Sequence, residues 1–460
     1  MKKNNFAIFA FICALLCFNT VPAQIHIEGN VEINMNSGLF SCNFNLANIP
    51  KLSDYSILLN KGMNVKYFKD SENELINYEG YYNGKIKGEA IAYTFKNDST
   101  STIPSKFNVT YRGAFPVYSN DFNKFDYKGM IAINNQTLRA SEQTKWYPVI
   151  YDAANDRILN SYTYDLTITI KGGNTIFVNG NAPKKGETSR FVSRKAHPLL
   201  LFAGTYSFIE SNGDYILNTD VSKETSEKVF NNTANIKSIL SKNLGLEFTD
   251  KIYLINHKAI NKRREGSSWG FNTYPTFAFT GLNFDKLLDD NGNFLNDYYR
   301  YFGHEFGHNY FGNNVMSGKL SWFWLESFAE YLSYNVAEDL CGKEFLKQVL
   351  LKQIKNIEND SFIPLNKIEN RDEIDEKYRY ILAPLMLKCF EDRFGRNKMN
   401  LTLKSLLEFA KSETLTLMHW KESAIKNGIK EEAFEKFEKE FVENPEFKQN
   451  IIDEIRKKHG

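Results

Sequence analysis

Apolar and polar positions alternate along the first part of the chain and then change to a helical period. Between about Ile25 and Tyr206 the stretches "HIEGNVEI", "SYTYDLTITI" and "NTIFVNG" place Ile, Val, Tyr, Thr and Phe at every second position. Clusters such as "GGN" and "NGN" punctuate these runs as turns. The pattern predicts an N-terminal antiparallel β domain over residues 24–206, built as a sandwich or a curved sheet. After Tyr206 the period lengthens. "VSKETSEKVFNNTANIKSILSKNLG" carries Val229, Ile236, Ile239 and Leu240 at mostly helical spacing and stops at Gly245. "KIYLI" reads as a short buried strand. "NDYYRYFGHEFGHNYFG" and "SWFWLESFAEYLSYNVAEDL" read as two helices joined by "NNVMSGKL", with Gly318 as the breaker. From Glu344 onward the chain is almost wholly helical in pattern, and "KYRYILAPLMLKCFEDRFG" is its strongest amphipathic segment. The expectation is an α+β domain over 207–350 and a helical part over 351–460.

The first residues stand apart. "MKKNNFAIFAFICALLCFNTVPAQ" has Lys2 and Lys3, an apolar core from Phe6 to Phe18, then Val21-Pro22-Ala23. That is the layout of a secretory signal peptide cleaved after Ala23. The apolar run is short for a membrane span, so no transmembrane segment is expected in the mature chain. Bulky Leu16 before Cys17 argues against a lipid anchor. The expected location is periplasmic, cell-surface or extracellular.

Composition and charge narrow the partners. At 460 residues the chain can bury two or three cores. Removing residues 1–23 takes Lys plus Arg from 57 to 55, against 55 acidic residues, which leaves a formally neutral chain. A neutral chain without a basic block gives no reason to expect a nucleic-acid partner. The same removal takes the cysteines from five to three: Cys42, Cys341 and Cys389. An odd number cannot all pair, and none has a Cys or His nearby at metal-ligand spacing.

The chemistry gathers in one segment. His304-Glu305-Phe306-Gly307-His308 is an H-E-x-x-H pattern. On a helix, residues four apart face the same way, so both imidazoles reach one ion. Glu305 lies about a hundred degrees round the helix, which suits a base acting beside the metal rather than a ligand. Phe302, Phe306, Tyr310 and Phe311 surround the motif, and buried imidazoles need partners that a metal supplies. Glu326 follows His308 after residues 309–325, long enough for a turn and a returning helix. It is the candidate third ligand. Glu330, one turn on, is the candidate acceptor for a ligand imidazole's second nitrogen.

"HEFGHNYFGN…WFWLESFAEYL" resembles the gluzincin metallopeptidases, specifically the alanyl-aminopeptidase family that includes leukotriene hydrolase, with one residue fewer between the second histidine and the glutamate. "KWYPVIYD", "YTYDLTITI", "VNGN" and "LLLFAGTYS" are similar, in order, to the end of that family's β domain, and "YILAPLMLKCFEDRFG" to its tyrosine-bearing helix. The resemblance implies a thermolysin-like catalytic domain. It implies one Zn2+ held by His304, His308 and Glu326, with Glu305 as general base. It also implies a hydroxyl donor to the oxyanion at Tyr380, with Tyr378 as rival. Two departures are visible. Leu382-Ala383 stands where the family has Lys-Gly. No glutamate occurs between Glu265 and Glu305, where the family carries Gly-x-Met-Glu-Asn for the substrate amine; Glu265 and Glu142 are substitutes from other directions. "FNTYPTFAF" is a candidate edge strand for an extended peptide. The expected activity is zinc-dependent peptide hydrolysis on peptide or protein substrates, aminopeptidase-like. An endopeptidase or dipeptide-releasing enzyme is the alternative. A peptide-binding scaffold that keeps a structural zinc is the non-enzymatic one.

Overall fold

Strict alternation builds the first sheet. Along Ser161–Lys171 every second residue is buried, so Tyr162, Tyr164, Leu166, Ile168 and Ile170 line one face. Leu39–Ala47 does the same with Phe40, Cys42, Phe44 and Leu46. The computed structural model describes residues 24–83, 89–96, 102–118, 126–218, 221–257, 260, 269–280 and 282–460. The proposed signal segment 1–23 and Glu265 lie outside these residues. Among them no helix is long and apolar enough to cross a membrane.

Among the described residues, three sheets form the N-terminal domain. The seven-stranded one runs Thr188–Pro198, Ser161–Lys171, His26–Asn34, Leu39–Ala47, Phe107–Ala114, Met63–Lys69 and Leu75–Ile76. Sheets of six and five strands complete the layer. Most pairings are antiparallel, as the alternation predicts. Two are not: His26–Asn34 runs parallel to Ser161–Lys171, and the Ala132–Asn134 strand runs parallel to Val117–Tyr118. Parallel neighbours need a long connection, and more than a hundred residues separate His26–Asn34 from its parallel partner. Periodicity alone carries no information on that pairing.

The second domain opens with a mixed five-stranded sheet, ordered Phe208–Ser211, Asp214–Leu217, Tyr253–Asn256, Thr276–Thr280 and Trp269–Thr273. Trp269–Thr273 is the edge strand, antiparallel to its neighbour. The helix Lys223–Leu244 begins where the Ser222 hydroxyl accepts the Thr225 amide at 3.0 Å, and ends at Gly245 with φ 59°. The helix Asn296–Gly307 lays Phe302 and Phe306 onto this sheet, with ring centroids 6.1 Å from Phe279 and 5.2 Å from Phe277 respectively. Beyond Lys343 the chain is helical to its end. Cys42 and Cys389 are buried in the cores and Cys341 is partly exposed; all three are free thiols.

One side chain ties the β domain to the edge of the second sheet. Asn179, fully buried, donates its amide group to the carbonyls of Pro198, Thr273 and Tyr274, each at 2.9 Å. Its own carbonyl accepts from the Thr276 hydroxyl at 2.7 Å. Truncation leaves several buried polar groups unpaired, at about 1–3 kcal/mol each. Asn179→Ala is therefore expected to lower stability by roughly 2–4 kcal/mol, read as a fall in the urea midpoint.

Candidate metal centre

The site depends on how closely two helices approach. His304 and His308 sit on the last turn of the helix Asn296–Gly307 and at its C-terminal cap. Gly303 and Gly307 alternate with them. A Cβ on Gly307 would lie 3.0 Å from the Cα of Ala329, and one on Gly303 3.0 Å from the Cβ of Val336. The missing side chains let the helix Phe328–Cys341 pack directly against this backbone. Glu326 and Glu330 thereby come within reach of the imidazoles.

Glu326 does not sit on regular α-helix. It lies in a π-helical turn, Phe323–Ser327, that leads into Phe328–Cys341. Tyr380 lies in a second one, Tyr378–Leu382. Such turns re-aim a side chain by inserting an extra residue into the helix, and are enriched at functional sites.

The ligand atoms converge. One Glu326 oxygen lies 3.4 Å from His304 Nε2 and 3.5 Å from His308 Nε2. Donor atoms of the three residues all lie within 4.8 Å of one another. Atoms bonded to a tetrahedral zinc at about 2.0–2.2 Å stand about 3.4 Å apart. The remaining ring nitrogens are already used. His308 Nδ1 donates to the Phe311 carbonyl at 3.0 Å, which requires its proton on that nitrogen. His304 Nδ1 donates to Glu330 at 2.9 Å. Both Nε2 atoms are thus directed at Glu326, and with the protons held on Nδ1 each Nε2 lone pair is the one a metal would take.

Charge also favours a cation. Glu330 is bound by Arg300 and, at 3.5 Å, by the Gln353 amide. Burial works to raise its carboxyl, but Arg300 and His304 override that and hold it below the usual range. Burial likewise disfavours a charged His304; Glu326, Glu330 and Glu305 reverse this and push the imidazole up to about 10. With both imidazoles neutral, as metal ligation requires, three carboxylates face one guanidinium, a deficit of two positive charges that a divalent ion matches. The residues fit zinc in donor type, spacing and charge.

Glu305 is buried, and its carboxylate accepts from the Asn272 amide at 2.5 Å. Asn272 belongs to the edge strand, so that strand flanks the acid. Tyr380 packs its ring 5.8 Å from that of His304. Burial and then the Glu326 carboxylate push its phenol up, so it remains a proton donor at neutral pH. Tyr378 is buried elsewhere, its hydroxyl donating to the Ile363 carbonyl at 3.2 Å and its ring against Phe362. The Leu382-Ala383 departure does not keep Tyr380 from the site. Glu142 meets the edge strand on its other side, accepting from the Thr273 hydroxyl at 2.7 Å. The sequence reading missed Arg300, Gln353 and Asn272. Arg300 alone had a signal: it precedes His304 by one helical turn.

Neither the scan against protein-family models nor the search of curated proteins finds a match. Solved structures do match. Native yeast LTA4 hydrolase aligns with TM-score 0.62 at 14% identity, covering 92% of this chain and 67% of that one. The M1 zinc metallopeptidase from Deinococcus radiodurans aligns with TM-score 0.59 at 12% identity, covering 94% and 93%. A variant of it bound to a Tyr-Ser-Ala substrate aligns with TM-score 0.59 at 13% identity, covering 91% and 94%. The chain thus spans nearly all of the bacterial protein and about two thirds of the yeast one. The multidomain fold, a β domain followed by an α+β domain and a helical part, is that of these proteins.

Glu330 holds His304 in place without being a candidate ligand. Glu330→Gln is expected to weaken zinc affinity by about 10–100-fold, measured by competition with a chromogenic chelator.

Proposed function

We propose that this chain is a zinc metallopeptidase that hydrolyses peptide bonds, and that residues 1–23 direct its export to the periplasm, cell surface or exterior. The observation that carries the reading is the convergence of His304 Nε2, His308 Nε2 and Glu326 at 3.4–3.5 Å beside a fourth residue, Glu305, that is no part of the triad. A structural zinc site needs no such acid and closes its coordination with protein. The peptidase fold and the Tyr-Ser-Ala substrate of the bacterial neighbour support the substrate class.

One Zn2+ held by His304, His308 and Glu326 would polarise a substrate carbonyl and make water a stronger acid. Glu305 takes a proton from the attacking water and delivers it to the leaving amine. The carbon–nitrogen bond breaks as a carbon–oxygen bond forms, and the transferred proton ends on the amine. Asn272 orients the Glu305 carboxylate through its amide. Tyr380 donates to the oxygen that gains negative charge, a role its raised phenol suits. Arg300 and Glu330 keep the His304 ring in its tautomer.

Glu305→Gln is expected to keep one equivalent of zinc by elemental analysis while peptide hydrolysis falls by about 10²–10⁴-fold. If that variant hydrolyses at the wild-type rate, the catalytic reading is wrong and a scaffold with structural zinc takes its place. Tyr380→Phe should lower kcat by about 10²–10³-fold with little change in KM, whereas Tyr378→Phe should leave both near wild type.

A further inference from the structure

The edge strand Trp269–Thr273 borders the metal centre, and its two flanks carry different charge. On the metal side Asn272 donates to Glu305. On the β-domain side Thr273 donates to Glu142. Among the described residues, Glu305 and Glu142 are the carboxylates hydrogen-bonded to this strand. A substrate ammonium is held selectively only by a carboxylate. Glu305 must stay available to water, which leaves Glu142.

Glu142 is already taken. Lys128 Nζ lies 2.6 Å from its carboxylate and donates to the Asn272 carbonyl at 2.5 Å. The same ammonium stands 5.6 Å above the Phe271 ring. Both groups are largely buried, with side chains 19% and 9% exposed. A second lysine adds to the imbalance. Lys145 is buried and donates to the Glu142 backbone carbonyl at 3.3 Å. Lys128 thus occupies the carboxylate while Lys145 holds the backbone beside it, and Asn272 links Lys128 to Glu305. Among the described residues, a free α-ammonium brought to this flank would meet the Lys128 and Lys145 side chains and a carboxylate already engaged by Lys128 and Thr273, and repulsion at such range in a poorly solvated site is costly.

We propose that Lys128, seated on Glu142, makes this cleft reject a free N-terminal ammonium and take peptides at internal or N-blocked positions. The assignment rests on the peptidase reading above and sharpens its substrate class. Lys128 acts as a specificity-determining residue: it touches the strand along which an extended peptide would pair, not the reacting atoms.

A matched pair of peptides, one with a free N-terminus and one N-acetylated, tests it with the full-length wild-type protein and mass readout of the cut sites. The acetylated peptide should be cut at an internal bond with kcat/KM at least about as high as the free one, and a chelator should stop both. Lys128→Met should raise kcat/KM for the free peptide relative to the acetylated one by about ten-fold. Loss of cleavage on acetylation, with residue-by-residue trimming of the free peptide, overturns this proposal and leaves the peptidase reading intact. An unchanged free-to-acetylated ratio in a folded Lys128→Met variant overturns the role of Lys128. Failure to cut either peptide, with or without added zinc, removes the peptidase reading and this proposal with it.

Discussion

The close approach of two helices at Gly303 and Gly307 sets the position of everything else in the centre. With no Cβ at either glycine, the backbone of Asn296–Gly307 meets Ala329 and Val336 at van der Waals distance. Any larger residue would hold the helices apart, and a donor displaced by even a fraction of an ångström no longer fits a tetrahedral ion. The glycines and histidines therefore form one device. One pair supplies the candidate ligands and the other lets the partner helix bring Glu326 and Glu330 to them.

Electrostatics completes what packing begins. Glu326, Glu330 and Glu305 are placed in a poorly solvated pocket where unpaired carboxylates are costly. Arg300 compensates one of them, and His304 is driven toward its charged form by the others. A divalent ion held there would take the place of that proton and balance the remainder. The same field keeps Tyr380 protonated, so the arrangement that favours a metal also preserves a hydroxyl donor next to it.

The β domain takes part in the site rather than standing beside it. Asn179 fixes the turn after the edge strand, and Glu142 with Lys128 fixes the strand's outer flank. The candidate ligands and Glu305 come from the second domain, while the first shapes the strand next to them.

Much of this was legible in the sequence. Alternation gave the strands of the first domain, the helical period gave the second, and H-E-x-x-H with a later glutamate gave a candidate ligand set, because spacing along a regular helix translates directly into direction. Glu330 was legible for the same reason, being one turn from Glu326. Only the tertiary structure decided the rest. Periodicity is blind to which strands become parallel neighbours, and to the π-helical turns that aim Glu326 and Tyr380. It could not choose between Tyr380 and Tyr378, which lie two residues apart yet face the imidazoles and the core. Nor could it show that Glu142 is paired with Lys128, because that contact joins segments whose separation in sequence sets neither distance nor direction. Local geometry follows from local sequence, whereas contacts between distant segments depend on how the whole chain packs.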